Sequence, residues 1–185
     1  MGVMQLGKIY RLIDVGAGFL ETIAAQAMAH PEHQYLAIEP DQEVVDSALV
    51  QDMRIGKLAN LTIDVRGYRE VFRQLVQEGH LARHIAVHAD GHLIGMDVTR
   101  FLGRCKPILV PNGKIHWTNE AMNRPVGEAA KKAGFKYIFK GEVPVLRRKS
   151  VFEKRSGSLF EHEFTLGLKK AVPKKEERRN WKGSR

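Results

Sequence analysis

Apolar and polar positions along this chain switch period in a regular way. Near the start, Tyr10, Leu12, Ile13 and Val15 crowd into a run that suits a buried strand over about residues 8–15. A helical pattern follows over about 18–30, and Tyr35-Leu36-Ala37-Ile38 then gives a strand over about 34–39. The alternation continues with a helix over about 41–55, for which Asp41 is a natural N-cap. Leu61, Ile63 and Val65 alternate in a strand over about 60–66. Val71, Phe72, Leu75 and Val76 sit at helical spacing over about 68–78, before a strand over about 83–89. A helix over about 93–106 runs to the turn Val110-Pro111-Asn112-Gly113, and a strand follows over about 114–118. A helix over about 124–134 stops at Gly134, and β segments over about 136–146 and 159–168 close the pattern. Such alternation predicts an α/β fold: a mostly parallel, seven-stranded sheet, helices on both faces, and a C-terminal antiparallel hairpin.

The chemistry concentrates at the first turn. Asp14-Val15-Gly16-Ala17-Gly18 follows the first strand, and Glu39 ends the second. Glycines let the backbone turn tightly and let a ligand approach. A carboxylate about 20 residues later, at the end of the next strand, suits the two hydroxyls of a ribose. A dinucleotide fingerprint would place a third glycine where this chain has Glu21. A carboxylate there opposes a pyrophosphate, which needs the positive end of the helix. S-adenosylmethionine carries no phosphate and bears a positive sulfonium, so acids in or beside the turn are tolerated and Asp14 suits it.

Charge changes the picture at the far end. Of the net +9, residues 169–185 carry +6, from eight Lys/Arg against two Glu, which leaves the preceding 168 residues at +3. The chain therefore reads as one domain over 1–168 and a basic, unstructured tail over 169–185. The tail suits polyanions through counterion release, or it serves solubility alone. No run approaches the roughly 20 apolar residues of a membrane span. With one cysteine, Cys105, an internal disulfide is impossible, and a reducing, cytoplasmic setting is expected. Cys105 reads as a structural or surface residue of its helix. His80, His84, His88 and His92 recur every four residues. On a strand, residues four apart lie about 13 Å from each other, too far to share one ion, so no metal is expected.

The glycine turn with Glu39 resembles motif I of class I S-adenosylmethionine-dependent methyltransferases, which implies a Rossmann-like methyltransferase fold. Pro111-Asn112-Gly113-Lys114-Ile115-His116 resembles the turn before the fifth strand of that class. Three segments are similar to the tRNA (guanine-N7-)-methyltransferase family: 30–39, Lys114-Ile115-His116-Trp117-Thr118-Asn119-Glu120, and the pair Ser150-Val151-Phe152-Glu153-Lys154-Arg155 and Glu161-His162-Glu163-Phe164-Thr165-Leu166. The resemblance implies a cofactor set of Asp14, Gly16, Ala17, Gly18, Glu39, Pro40, Tyr68 and Ser150. It implies Asp90 and Glu153 at the target base, and RNA, tRNA in particular, as substrate. Arg147, Arg148, Lys149, Lys154 and Arg155 surround Phe152, a basic and aromatic mixture that suits RNA contact. The sequence departs from the family after the fourth strand, where Ala89-Asp90-Gly91-His92 stands in place of Pro-Asp-Pro-Trp. Tyr68 stands where an adenine-facing acid is expected, and its ring offers stacking instead. The family's extension before the first strand is missing, which leaves room for a protein partner over the substrate side. The alternative reading is a catalytically degenerate relative that binds RNA or ribonucleoprotein.

Overall fold

A computed structural model describes residues 7–88, 97–119, 123–144 and 160–168. Its elements in chain order are β1 (Ile9–Val15), α1 (Glu21–Ala29), β2 (Gln34–Ile38), α2 (Gln42–Gln51), β3 (Leu61–Asp64), α3 (Tyr68–Gln77), β4 (Leu81–His88), α4 (Val98–Cys105), β5 (Leu109–Asn119), α5 (Asn123–Lys132), β6 (Phe135–Pro144) and β7 (Phe160–Leu168). The seven strands form one sheet in the order β3-β2-β1-β4-β5-β7-β6. β7 runs antiparallel to both of its neighbours, and β1 to β5 pair in parallel. The basic tail and the 147–155 segment lie outside the described residues. No described helix is long and apolar enough to cross a membrane.

Each face of the sheet has its own helices. Ile13, Val15, Leu36, Ile38, Ile85, Val87, Ile115 and Trp117 meet α3, α4 and α5 on one side. Tyr35 and Ala37, with Leu12 and Ile63, meet α1 and α2 on the other. The spacing explains the docking. α4 buries Val98, Phe101, Leu102 and Cys105, one stripe repeating at three and four residues. Phe101 is its anchor, with ring centroids 5.9 Å from Phe72 and 5.5 Å from Trp117. Cys105 is fully buried in this stripe, and burial pushes its thiol well above the ordinary range. It is structural.

Local chemistry sets the boundaries. Asp41 caps α2 as expected, accepting from the backbone N–H of Glu43 at 3.0 Å and of Val44 at 3.3 Å. The helix stops at Gln51, short of the expected 55, because Asp52 leaves helical geometry and takes the Arg54 guanidinium at 2.6 Å. β3 ends at Asp64 because its carboxylate turns back to the Arg66 N–H at 3.0 Å and guanidinium at 2.7 Å. β5 begins earlier than expected. Its pairing with β4 steps from Ala82↔Leu109 to His84↔Lys114, so the 110–113 turn bulges from inside the strand. Asn112 there has φ 67°, a conformation asparagine tolerates.

One buried amide pins the connection from α1 to β2. Asn60 Nδ2 donates to the carbonyls of Ala27, His30 and His33 at 3.0, 3.2 and 3.0 Å. The Asn60 carbonyl in turn accepts from the Tyr35 N–H at 2.8 Å. Asn60→Ala would remove this shared donor, and although the His30 carbonyl keeps the His33 N–H at 3.1 Å, about 1–3 kcal/mol of stability should be lost. A fall in the urea midpoint at unchanged m-value checks this; an unchanged midpoint contradicts it.

Candidate functional site

Strand order reverses between β1 and β4, and α/β sheets bind ligands in the crevice outside the carboxyl ends of their strands at such a point. Three sequence-expected residues stand there: Asp14 next to the last residue of β1, Gly16 just beyond β1, and Glu39 just beyond β2. The loop is built by backbone geometry. Gly16 has φ 75° and Gly18 has φ 54°, both in the left-handed region. Gly16 is constrained twice, because a Cβ there would come within 2.7 Å of the His88 carbonyl oxygen on β4. At Gly18 a Cβ would meet nothing within 4 Å, so the loop faces open space at that point.

The three N–H groups from Gly16 to Gly18 are spoken for. Those of Gly16 and Ala17 donate to the Ile38 carbonyl at 2.9 and 3.3 Å. Gly18 N–H donates to Glu39 Oε2 at 2.8 Å, while Glu39 Oε1 accepts from Asp41 N–H at 3.0 Å. A pyrophosphate cradle needs such donors free, and here they face β2 instead. The start of α1 reinforces the point: Leu20 at its N-cap has φ 63° and makes no side-chain cap, and Glu21 sits in the first turn. A carboxylate has about four acceptor positions, so each Glu39 oxygen keeps capacity for a ligand hydroxyl.

Asp14 is the electrostatic centre. It is 1% exposed, and its Oδ1 has no hydrogen-bond donor. His88 Nε2 stands 3.3 Å from that oxygen, near enough for an ion pair but not aligned as a hydrogen bond. Burial drives the Asp14 pKa up to about 6; His88 opposes the shift and the Glu39 charge adds to it. A buried, orphaned carboxyl beside an open loop suits a cationic ligand group.

The other expected residues divide. Ala17 packs its methyl against the α1/α2 core, and Pro40 is exposed beside Glu39. Tyr68 opens α3, and its half-buried ring stands edge-on to Phe101 and Phe72, at 5.0 and 5.8 Å between centroids. Arg69 lies 5.9 Å over the ring. Asp64 is engaged by Arg66, whose hydrogen bonds hold its carboxyl below the usual range. Asp90, Ser150 and Glu153 fall outside the described residues, as do Arg147, Arg148, Lys149, Lys154 and Arg155. Sequence reasoning missed the His88 contact with Asp14 and Gly16. Its signal is strand adjacency, since Val15 pairs with Val87. Among the described residues, no three His, Cys, Asp or Glu side chains gather closely enough to hold a metal ion.

Among solved structures, the precorrin-6y C5,15-methyltransferase of Geobacter metallireducens GS-15 superposes with a TM-score of 0.66 over 88% of this chain and 81% of its own, at 13% identity. The chain has the class I methyltransferase fold. The same fold appears in the 16S rRNA (adenine(1408)-N(1))-methyltransferase of Catenulisporales acidiphilia, solved with its cosubstrate SAM (TM-score 0.62, 17% identity, 90% and 88% covered). A curated relative, the tRNA (guanine-N(7)-)-methyltransferase of Macrococcus caseolyticus, is 31% identical over 118 residues, or 58% of this chain and 53% of the relative. This methyltransferase-fold chain thus spans about half the length of that curated relative. No family model matches it.

Two outcomes are expected from the site geometry. Gly16→Ala should cost about 1–3 kcal/mol, through the positive φ and the His88 carbonyl. For Asp14, the folded pKa of about 6 lies above the ordinary carboxyl value of 3.8. Its neutral carboxyl therefore contributes stability fully below that lower value, and the contribution is lost as pH rises through about 6. Asp14→Asn stays neutral throughout. Its Tm should exceed wild type at pH 7.5, by the equivalent of about 1–3 kcal/mol, and match wild type near pH 4. Thermal melts at the two pH values check this. A lower Tm for Asp14→Asn at pH 7.5 would overturn the reading.

Proposed function

We propose that this chain binds S-adenosylmethionine in the glycine-turn crevice and methylates RNA, with guanine N7 of a tRNA as the favoured target. The supporting observation is the turn itself, whose N–H groups are committed to Ile38 and Glu39 and so decline phosphate. The fit is chemical. Glu39 would take the ribose hydroxyls, the Gly16–Gly18 backbone would pass closely beneath the ligand, and Asp14 would face its positive charge. When bound, S-adenosylmethionine supplies an electrophilic methyl group and leaves as a neutral thioether.

Guanine N7 presents a free lone pair in the major groove, so attack requires no proton removal. The protein's work is alignment and stabilisation of the positive charge that the base acquires. Asp90 and Glu153 are the candidates for accepting from the guanine N1 and N2 hydrogens. Ser150 is a candidate near the methyl donor, and the basic group 147–149 with Lys154 and Arg155 is a candidate RNA contact. The RNA target draws on the names of the curated tRNA relative and of the rRNA-modifying neighbour. Buried, unpaired Cys105 accords with a reducing, cytoplasmic setting. One observation favours a second reading, a binding protein without catalysis: Ala89-Asp90-Gly91-His92 replaces Pro-Asp-Pro-Trp after β4.

Calorimetric titration with S-adenosylmethionine tests the cofactor. Micromolar binding is expected, weakened at least tenfold in Glu39→Ala, about 1.4 kcal/mol or more. Affinity should also rise with pH through about 6, as Asp14 ionises beside the ligand's cation, and Asp14→Asn should flatten that rise. Wild-type affinity in Glu39→Ala would remove the site assignment. Labelled methyl transfer to a tRNA transcript then separates the two readings.

A further inference from the structure

Among the described residues, the α1/α2 face of the sheet is only partly covered. Its buried cluster is drawn from α1, α2, β2 and neighbouring loops, and includes no residue of β4 or β5. What those strands present there is cationic and ring-bearing. Tyr10 and Ile13 on β1 both enter the opposite core, as do Ala82 and Ile85 on β4. Two core residues three apart leave the pair between them off that core, as a bulge does. Arg11 and Leu12, and likewise Arg83 and His84, therefore leave the core. Leu12 confirms the direction by packing against the α1/α2 cluster.

Register completes the patch. Leu12 pairs with His84, and His84 pairs with Lys114 across β1, β4 and β5. Neighbouring strands lie about 4.8 Å apart, so the three strands set their cations across roughly 10 Å. His116 Nε2 is 3.3 Å from His84 Nδ1, and the two rings are tilted 36° with centroids 5.4 Å apart. Burial first, then His116, Arg11, Lys114 and Arg83, hold the His84 pKa near 4, so its ring is uncharged at neutral pH. Arg11 and Arg83 are exposed, and Lys114, His84 and His116 are partly so. Among the described residues, Arg11, Arg83 and Lys114 have no ion-pair partner, unlike Arg54 or Arg66.

We infer that Arg11, Arg83, His84, Lys114 and His116 form an RNA-binding surface on the open sheet face, apart from the cofactor crevice. Guanidinium and ammonium groups take backbone phosphates, and the paired imidazoles offer flat rings to an unstacked base. An acidic protein would match the cations and could accept from an imidazole N–H, but the flat ring faces suit an unstacked base. The inference deepens the RNA reading above and rests on it.

The test is fluorescence anisotropy with a labelled tRNA transcript and no S-adenosylmethionine, at several salt concentrations. The triple variant Arg11→Gln/Arg83→Gln/Lys114→Gln is compared with a charge-matched control, Lys57→Gln/Arg73→Gln/Lys132→Gln, altered at exposed sites elsewhere. The triple variant should bind at least tenfold more weakly, and its salt slope should fall by about 2, since each lost phosphate contact removes about 0.7–0.9. The control should lose less than threefold, and calorimetric binding of S-adenosylhomocysteine should be unchanged in both. Arg11→Lys/Arg83→Lys should restore binding, and it serves as the second probe should the triple variant fold poorly. Equal losses in triple variant and control would overturn the inference, as would displacement of RNA by polyglutamate as readily as by unlabelled RNA. Wild type that ignores RNA at low salt while binding S-adenosylhomocysteine would remove both the surface and the RNA target, and leave the cofactor site standing.

Discussion

The tie between the glycine turn and the end of β2 is the interaction on which the site depends. Two left-handed glycines bring consecutive N–H groups round to face Ile38 and Glu39 rather than the crevice. The consequence is chemical as well as geometric. A turn that spends its donors internally is a poor host for phosphate and a good floor for a ligand held through hydroxyls and a positive charge. The Glu39 carboxylate is doubly useful, since it fixes the turn and the start of α2 with one lone pair on each oxygen and keeps the others. Its rigidity comes from backbone donors rather than from a flexible cation, so it does not have to be broken for a ligand to enter.

Function and stability pull against each other at Asp14. A carboxyl buried without a donor costs folding free energy whenever it is charged. Hydrophobic packing elsewhere supplies the margin: Phe101, Trp117, Phe72 and the interior residues of β1, β2 and β4 are essentially fully buried. His88 at the end of β4 relieves part of the cost, because it stands close enough to share charge yet remains partly exposed. The same β4 residue sets the size limit at Gly16 through its carbonyl. One strand end therefore governs both the shape of the turn and the charge of the acid behind it.

What the sequence made legible was local. Strand, glycine turn, helix, strand and acid all lie within 9–39, where spacing alone reports the geometry, and Asp41 announced its cap in the same way. What it hid depends on neighbours across the sheet. The His88 contact with Asp14 follows from β4 lying beside β1, which no local pattern states. The bulge at 110–113 is invisible because a proline-glycine turn reads equally as a break before a strand or a loop within one. Tyr68 is set by a different constraint. Its position after β3 suggests a ring for a ligand, but α3 starts at that residue and the helical repeat directs it toward Phe72, so packing claims the ring edge.

The bulges of β1 and β4 decide where two arginines lie. A regular strand would have sent Arg11 and Arg83 into the layer that holds Ile13 and Ile85, where a buried guanidinium without a partner is untenable. Shifting register at these residues moves both cations out of the α3/α4/α5 core while keeping Ile13 and Ile85 inside it. Arg11 and Arg83 could therefore be replaced by neutral polar residues without loss of packing, since neither contributes to a core cluster. Their charge is not needed to close the sheet. Unpaired cations side by side on adjacent strands repel one another, and a bound polyanion relieves that repulsion.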